Sequence, residues 1–540
     1  MTPHEFITKR SASELKERSA SQEHFIDLCR LIGEPTPAEA DPTGEAYCFE
    51  RGARKDTGGD GWADVWKRHH FAWEYKGQRA DLDAAFGQLR TYALALENPP
   101  LLIVSDMLRF RIRTNWTNCV SRTYEFGLDG LADAATRDRL KWAFSDPGRL
   151  RPGETRQALT ERVAASFATL AQSLRDRGND AHAVAQFVNR LVFCMFADNV
   201  GLLPGHMFTR MLEQAQRTPE HFADLAGELF QVMASGGRVG FETVAWFNGG
   251  LFDDAASLPL DKADIDTVLG ASRLDWSEID PSILGTLFER GLDPGKRAQL
   301  GAHYTDRDKI MLLVEPVVIR PWLSEWSEEK AAIASELERA GSAKTPATRK
   351  KRRSNAEQRY RTFLSRVRAF TVLDPACGSG NFLYLALQAL KDLEHRIQLE
   401  AEALGFQRAF PEIGPANVKG IEINPYAAEL ARVSVWNGEI QWMRRNGFAE
   451  ARDPILKPLD TIECRDAIVA PDGREADWPE ADVIVGNPPF LGDKRLIGKL
   501  GENYVTRIRT TYTGRVPAGA DLVCYWFEKA GQKDELLAPG

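Results

Sequence analysis

The sequence feature that most constrains the fold is residues 370–382, which read Phe-Thr-Val-Leu-Asp-Pro-Ala-Cys-Gly-Ser-Gly-Asn-Phe. An apolar run ending at Asp374 predicts a buried strand, the glycines at 378 and 380 predict a tight turn, and a helix should begin near Asn381. Strand candidates then alternate with helices; these candidates are residues 371–374, 418–423, 461–464 and 482–486. The alternation favours an α/β domain with a parallel sheet, whose ligand site lies at the carboxyl ends of its strands.

Length and composition restrict the class of protein. A chain of 540 residues is too long for one domain, because domains usually contain roughly 100–200 residues. The net charge of −8 excludes an evenly basic DNA-coating protein but leaves room for a local basic face. There is no apolar run long enough to span a membrane and no apolar signal-peptide core at the N-terminus. The seven cysteines are dispersed, without a Cys-x-x-Cys pair, so we expect a cytoplasmic protein without a zinc ribbon.

The patterns divide the chain into three zones. Residues 1–150 mix helix and strand patterns; the predicted elements are helices 21–31 and 81–96 and strands 71–76, 101–105 and 109–113. Residues 151–300 are rich in helix formers and predict an all-helical connector. Residues 301–540 are the α/β zone, in which residues 325–339 form a charged helical insert.

A basic segment follows this insert. Six of the ten residues 344–353 are Lys or Arg. Two interpretations are open at this point. The segment is either a solvated, mobile loop or a loop that contacts phosphate groups.

The string Asp374-Pro-Ala-Cys-Gly-Ser-Gly-Asn-Phe382 resembles S-adenosylmethionine (SAM)-dependent methyltransferases, specifically the DNA amino-methylating group. The resemblance implies a Rossmann-like domain with SAM as cofactor. It implies that Asp374 meets the methionine ammonium, that Glu422 holds the ribose hydroxyls and that Asp466 accepts from the adenine amino group. It also implies that Gly378 and Gly380 pack under the methionine portion. The remaining cofactor-binding candidates are Tyr304, Thr305, Ala376, Phe382 and Ile423.

A second motif, Asn487-Pro488-Pro489-Phe490, follows the strand predicted at residues 482–486. An exocyclic amine is a poor nucleophile because its lone pair is delocalised into the ring. The Asn487 side-chain oxygen and the Pro488 carbonyl would each accept one N–H and so localise the lone pair for attack on a methyl group. The two prolines stiffen the turn, and Phe490 offers a stacking face for a base swung out of the duplex.

This tetrapeptide type also serves some RNA-adenine and protein-glutamine methyltransferases. The segments after Phe490 and after Gly514 resemble the DNA restriction–modification branch instead. The resemblance implies methylation of adenine N6 in double-stranded DNA, with Asn487, Pro488, Pro489 and Phe490 as the catalytic turn.

The first zone contains a candidate metal-dependent nuclease site. Asp64 is followed after nine residues by Glu74-Tyr75-Lys76. Glu74 and Lys76 share a face if this segment is a strand, because side chains alternate with a period of two. Asp64 and Glu74 would then hold Mg²⁺, which lowers the pKa of a bound water, while Lys76 orients that water.

Several neighbouring residues support this pattern. Phe71, Trp73 and Tyr75 would occupy the opposite, core-facing side of the strand, and a later helix carries Gln88 and Tyr92 one turn apart, similar to the Gln-x-x-x-Tyr of one nuclease branch. Glu23 on the first helix is a possible further acid, and Asp60 competes with Asp64 as the first ligand. The alternative is a decayed or unrelated domain.

Together, the zones resemble single-chain Type IIL restriction–modification enzymes of the MmeI kind. This resemblance implies three parts: a PD-(D/E)xK-type nuclease at 1–150, a connector at 151–300 and a methyltransferase at 301–540. It implies double-stranded DNA as partner; since there is no P-loop motif, we expect no ATP-driven motor. The family continues with further strands and a target-recognition domain, so the sequence predicts a C-terminally truncated chain. Two other readings stay open: a methyltransferase with a silent nuclease, and a non-catalytic fragment.

Overall fold

The computed structural model describes most of the chain; the described residues are 1–11, 17–51, 63–77, 80–93, 96–116, 119–153, 155–247, 251–252, 254–276, 279–281, 307–448 and 459–537. It separates into two compact units. The first consists of Met1–Leu159, Gln398–Arg408 and Trp442–Arg452, and the second of Thr160–Ile397, Ala409–Gln441 and Asp453–Gly540.

The first unit is built on a six-stranded sheet. Its strands are β1 (Tyr47–Arg51), β2 (Ala63–Lys67), β3 (Phe71–Tyr75), β4 (Leu101–Ser105), β5 (Arg109–Thr114) and β6 (Thr123–Gly127). They stand in sequence order, with β3 and β4 parallel and every other neighbouring pair antiparallel. The principal helices are α1 (Pro3–Ser11), α2 (Glu17–Ile32), α3 (Pro37–Ala40), α4 (Leu82–Thr91) and α5 (Ala134–Ser145).

Helices cover both faces of this sheet. On one face, Phe71, Trp73 and Tyr75 of β3 join a buried cluster with Phe25 of α2 and Phe144 of α5. The opposite face packs against the apolar side of α4; the shared cluster includes Ala72, Leu102, Val104, Leu82, Phe86 and Leu89. Each large side chain buried in this way contributes about 1.5–3 kcal/mol. The mixed helix and strand pattern predicted for residues 1–150 is therefore observed.

The helix predicted at 81–96 ends earlier, and this is a correction. Asp81 caps the helix by accepting hydrogen bonds from the backbone N–H groups of Asp83 and Ala84, and the helix ends at Thr91. Beyond it, Glu97 and Asn98 adopt left-handed backbone angles, with φ of 63° and 48°. Prolines at 99 and 100 also disfavour helical geometry in the preceding residue. The apolar spacing continued past the point where the backbone leaves the helix.

The first part of the second unit is helical. Its helices are α6 (Arg156–Asp176), α7 (Ala181–Asn199), α8 (Met207–Ala215), α9 (Phe222–Ser235) and α10 (Lys262–Ser272). The prediction of an all-helical connector misses one small hairpin, β7 (Gly237–Val239) with β8 (Glu242–Val244).

In the described part of the chain no single helix is long and apolar enough to cross a membrane. Helix α7 and the segment Pro204–Ala215 meet that test only when they are taken together, and they are bent by 119° relative to each other.

The remainder of the second unit is an α/β layer. Its strands are β9 (Val372–Asp374), β10 (Val418–Glu422), β11 (Ile462–Cys464) and β12 (Val483–Ile484). They pair in the order β11-β10-β9-β12, and all are parallel. The helices that begin in this part are α11 (Arg307–Val314), α12 (Arg320–Gly341), α13 (Pro346–Ala369), α14 (Asn381–Glu402), α15 (Pro425–Arg445), α16 (Asp493–Leu500), α17 (Glu502–Thr511) and α18 (Val523–Leu537). All four predicted strands are present, so the predicted parallel sheet is confirmed.

The basic segment is not a loop. Thr345 caps α13 by accepting a hydrogen bond from the N–H of Thr348, and Pro346 stands in the first turn, where its fixed φ suits a helix. The basic residues that follow occupy the first turns of this 24-residue helix. A run of Lys and Arg can be helical, because both residues are good helix formers even when they are exposed to solvent. Both interpretations given above assumed a loop, and that part of them is wrong.

Candidate functional site

The carboxyl end of β9 begins the candidate site. Asp374 is the last residue of this strand and is buried, and its Oδ1 accepts a hydrogen bond from the N–H of Ala376 at 3.1 Å. Gly378 and Gly380 both have positive φ, 52° and 85°. Only glycine adopts such angles without strain. They turn the chain from the strand into α14, where Phe382 is buried in the first turn.

The two glycines have different surroundings. A side chain at Gly378 would face open space, whereas a Cβ at Gly380 would come within 2.8 Å of the Ala431 Cα on α15. Gly380 therefore allows α15 to pack closely against the turn. At Gly378, by contrast, no atom lies within 4 Å of an added Cβ, so the turn is open on this side.

Glu422 ends β10 next to this turn. Its Oε2 accepts a hydrogen bond from the Gly378 N–H at 2.9 Å, and its Oε1 accepts one from the Asn424 N–H at 2.8 Å. These bonds hold the carboxylate at the mouth of the glycine turn. Ile423 beside it is an apolar side chain that is 57% exposed.

Asp466 stands just beyond the end of β11. Its Oδ1 accepts from the Ile468 N–H at 2.7 Å, and its Oδ2 accepts from the Tyr504 hydroxyl at 2.7 Å. Tyr504 lies on α17 and was not singled out by the sequence patterns. Three carboxylates, Asp374, Glu422 and Asp466, therefore end or directly follow three adjacent parallel strands.

The Asn-Pro-Pro-Phe turn follows β12, on the other side of β9. A Cβ at Gly486, the residue before Asn487, would overlap the Asp374 carboxylate. This close approach places the turn directly beside the end of β9. Asn487 is exposed and Phe490 is 68% exposed, while Pro488 and Pro489 are partly buried between them. An exposed phenyl ring next to a polar acceptor is available to a planar ligand.

Two residues that the sequence patterns did not assign hold this turn. The Asp521 Oδ1 accepts from the N–H groups of Leu491 at 3.0 Å and Val523 at 3.1 Å, which ties the segment after Phe490 to the start of α18. On α18, the Trp526 indole N–H donates to the Pro375 carbonyl at 3.2 Å. Both fix the strand ends from outside the site. Nothing in the local sequence around Asp521 or Trp526 indicates these contacts.

The connector contacts the helix that follows Glu422. The Tyr426 hydroxyl, on the first turn of α15, donates to the Ala185 carbonyl of α7 at 3.0 Å, and the Asn189 side-chain N–H groups face the same hydroxyl. Tyr426 is buried, and it stands four residues after Glu422. The helix that follows the Glu422 loop is therefore anchored on α7.

Burial changes the acidity of this site. It raises the pKa of Asp374 to about 7, and the nearby charge of Glu422 acts in the same direction. Burial likewise raises the pKa of Glu422, against hydrogen bonds from the backbone of residues 424, 378 and 423. The Cys377 thiol is also buried, and its pKa lies well above the usual range. A protonated thiol in the core does not act as a nucleophile.

We expect the pKa of Asp374 to make SAM binding depend on pH. If this carboxylate receives the methionine ammonium, it must be ionised, so affinity should fall below pH about 7, by up to about tenfold per pH unit. Calorimetric titration with SAM across this pH range measures the effect. The Asp374→Asn variant should bind weakly without this dependence, and a wild-type affinity that stays constant through pH 7 would contradict the assignment.

Two of the predicted cofactor-binding residues, Tyr304 and Thr305, lie outside the described residues. The same is true of Asp60, the competitor of Asp64 in the first unit.

The first unit holds the second candidate site. The register of β2 with β3 pairs Val65 with Trp73, and continuing it by one residue brings Asp64 opposite Glu74. The Asp64 Oδ2 accepts from the Tyr75 N–H at 2.6 Å. The Lys76 Nζ donates to the Glu74 Oε1 at 2.8 Å and to the Gln88 Oε1 of α4 at 3.0 Å. Asp64, Glu74 and Lys76 therefore lie on the face of the sheet that α4 covers, and Gln88 of α4 contacts Lys76 there.

Glu23, the further acid considered from the sequence, lies apart from this cluster. It lies on α2, which packs on the opposite face of the sheet, and its carboxylate accepts from the Lys9 Nζ at 2.7 Å. Among the described residues, no group of three or more His, Cys, Asp or Glu side chains is placed to hold a metal ion. Asp64 and Glu74 form a pair of oxygen donors. This suits Mg²⁺, which keeps several waters and usually takes one or two carboxylates.

Comparison with known proteins supports the methyltransferase part. Residues 349–535 match the family described as MmeI, DNA-methyltransferase domain. Residues 349–535 are therefore similar to a DNA-methyltransferase domain of the MmeI type. Residues 182–252 match MmeI, helicase spacer domain, and cover α7 to α9 with the small hairpin.

Similar proteins cover parts of the chain. DNA methyltransferase A of Bacillus subtilis (strain 168) is 26% identical over 356 residues, which are 62% of this chain and 37% of that protein. The solved structure of the Type IIL restriction–modification enzyme MmeI in complex with DNA is 25% identical with a TM-score of 0.52, covering 69% of this chain and 48% of that chain. This chain therefore spans less than half the length of either. Its parallel-stranded α/β sheet with many helices is similar to MmeI.

A methyltransferase domain implies SAM as methyl donor, and the residues fit such a group. The open space at Gly378, the exposed Ile423 and the carboxylates at three strand ends suit a ligand with an ammonium, an aromatic ring and two hydroxyls. The ends of parallel strands are where open α/β sheets bind such ligands.

Proposed function

We propose that this chain is a SAM-dependent DNA methyltransferase that modifies the N6 amine of adenine within a restriction–modification system. The observation that carries the proposal is the contact of Gly486 with the Asp374 carboxylate, because it joins the methyl-donor end of β9 to the Asn-Pro-Pro-Phe turn after β12. Donor and acceptor chemistry must meet within one site for direct transfer.

Each carboxylate has a role in this proposal. Asp374 pairs with the methionine ammonium, Glu422 accepts from the ribose hydroxyls, and Asp466, oriented by Tyr504, accepts from the adenine amino group of the cofactor. Gly378 lies under the methionine portion, with Ala376 and Phe382 beside it, and Ile423 packs on the cofactor's adenine ring. SAM, when bound, supplies an electrophilic methyl group.

The catalytic turn acts on the target base. The Asn487 side-chain oxygen and the Pro488 carbonyl accept the two N–H groups of the exocyclic amine, which localises the nitrogen lone pair toward the methyl group. Phe490 stacks on the base after it leaves the duplex. Pro489 restricts the backbone so that both acceptors stay aimed at one point. The target amine loses its proton after transfer, and no cysteine nucleophile is needed.

A methylation assay tests this proposal. The chain is incubated with mixed-sequence plasmid DNA and tritiated SAM, and the DNA is digested to nucleosides. We expect the tritium label in N6-methyl-2′-deoxyadenosine. Label in a methylated cytosine would contradict the base assignment, and label in RNA or protein but not in DNA would contradict the substrate class.

We propose nuclease activity as a second function, favoured by the convergence of Asp64, Glu74, Lys76 and Gln88 on one face of the six-stranded sheet. Asp64 and Glu74 would hold Mg²⁺, and Lys76 would orient the attacking water or neutralise charge on the phosphate. Mg²⁺, when bound, makes a water more acidic and so a better nucleophile. Cleavage in the presence of Mg²⁺ would act on the same DNA.

A further inference from the structure

The helical hairpin of α12 (Arg320–Gly341) and α13 (Pro346–Ala369) has two regions of different charge character. Along its length, arginines of α13 pair with glutamates of α12: Arg352 with Glu336 at 3.2 Å, Arg359 with Glu329 at 2.7 Å, and Arg366 with Glu325. Apolar residues between the helices are buried, among them Trp326, Ile333, Tyr360 and Phe363. These contacts account for the stability of the hairpin.

The end of the hairpin is different. We call its five exposed cations the tip cluster; they are Lys344, Arg349, Lys350, Lys351 and Arg353. Within the described part of the chain none of them makes an ion pair, although the chain as a whole has a net charge of −8. Successive helical residues point about 100° apart, so the cations surround the start of α13.

Lys344 precedes α13, and Arg349 lies in its first turn, where the helix dipole is positive and cations are unfavourable. Adjacent like charges also repel one another. Neutral residues at the start of α13 would avoid both effects, so the charge points to a partner outside this unit.

The composition of the tip selects the class of partner. Residues 344–355 contain no aromatic and no large aliphatic side chain. A helix that binds membranes needs apolar side chains on one face, and a surface for single-stranded nucleic acid needs aromatic rings for stacking. Cations without either fit the regularly spaced phosphates of a duplex.

We propose that the tip cluster binds the phosphate backbone of duplex DNA without reading its sequence. This inference rests on the proposed function, which supplies DNA as the substrate. Helix α13 runs for 24 residues, about 36 Å at about 1.5 Å per residue, and leads directly into β9. The tip therefore contacts DNA well away from the target base, and it contributes to affinity for DNA rather than to the methyl-transfer step.

A charge-neutral variant of the whole chain tests the tip cluster. It combines Arg349→Gln, Lys350→Gln, Lys351→Gln and Arg353→Gln. The matched control removes four exposed cations elsewhere: Lys141→Gln, Arg217→Gln, Arg238→Gln and Lys262→Gln. Binding of a fluorescent duplex of mixed sequence is measured by anisotropy at several salt concentrations, beside methylation kinetics and thermal unfolding.

The tip variant should bind the duplex at least about tenfold more weakly than the control at low salt, and the slope of log affinity against log salt should shrink by about 3–4. KM for DNA should rise while kcat stays unchanged. Equal affinity and equal slope in the tip and control variants would overturn the inference while the proposed function stands. A wild-type chain that binds no DNA would overturn both. Loss of binding to anionic lipid vesicles, with DNA binding as in the control, would assign the cluster to a membrane instead.

Discussion

Replacing Asn487 by alanine is expected to lower the rate of methyl transfer by about a hundredfold to a thousandfold or more, while SAM affinity stays nearly unchanged. The reason is positional. Asn487 follows the Gly486 contact with Asp374, and it is exposed at the end of β12 rather than buried under the cofactor-binding turn. In the proposed mechanism its oxygen acts on the target amine, so its loss leaves the carboxylates at the other strand ends in place.

The measurement is calorimetric SAM affinity beside tritiated methyl transfer to DNA, on the same preparations. Asp374→Ala serves as the opposite variant, because it should lose SAM binding and activity together. Asn355→Ala, which removes an exposed amide from α13, should change neither quantity. If Asn487→Ala weakens SAM binding as much as Asp374→Ala does, the assignment of Asn487 to the target base is wrong.

Much of the methyltransferase sheet is predictable from local patterns. The four strand candidates at residues 371–374, 418–423, 461–464 and 482–486 each contain one observed strand, and three acids lie at or just beyond the predicted strand ends. This works because a short apolar strand, a glycine turn and a helix are adjacent in sequence. Their relative positions then follow from the parallel sheet.

Contacts between distant segments are not predictable in this way. Tyr504 reaches Asp466 from 38 residues away, and Asp521 reaches Leu491 from 30 residues away. Tyr426 meets α7 across 241 residues. No spacing rule links such positions, since they depend on how whole elements pack. The basic run after residue 344 shows a second limit, because charge density gives no sign of whether a solvated segment is helical.

In the first unit, Lys76→Ala and Asp64→Ala are each expected to remove Mg²⁺-dependent cutting, by at least about a hundredfold, without lowering methyl transfer. Asp64 supplies a carboxylate opposite Glu74, and Lys76 bridges Glu74 and Gln88. The residues proposed for methyl transfer lie in the other unit. Neither of the substituted side chains belongs to the apolar clusters of the sheet, so the fold should be retained.

Plasmid nicking with and without Mg²⁺ measures cutting, and methyl transfer by the same samples measures the second activity. Lys141→Ala, an exposed lysine on α5, is the matched control and should cut like the wild type. Thermal unfolding separates a loss of chemistry from a loss of structure. A wild-type chain that methylates but never cuts would identify a methyltransferase with a silent nuclease. If the wild type cuts and both variants cut equally well, the hydrolytic residues lie elsewhere, since an intact Asp64–Glu74–Lys76 arrangement would then be unnecessary for cleavage.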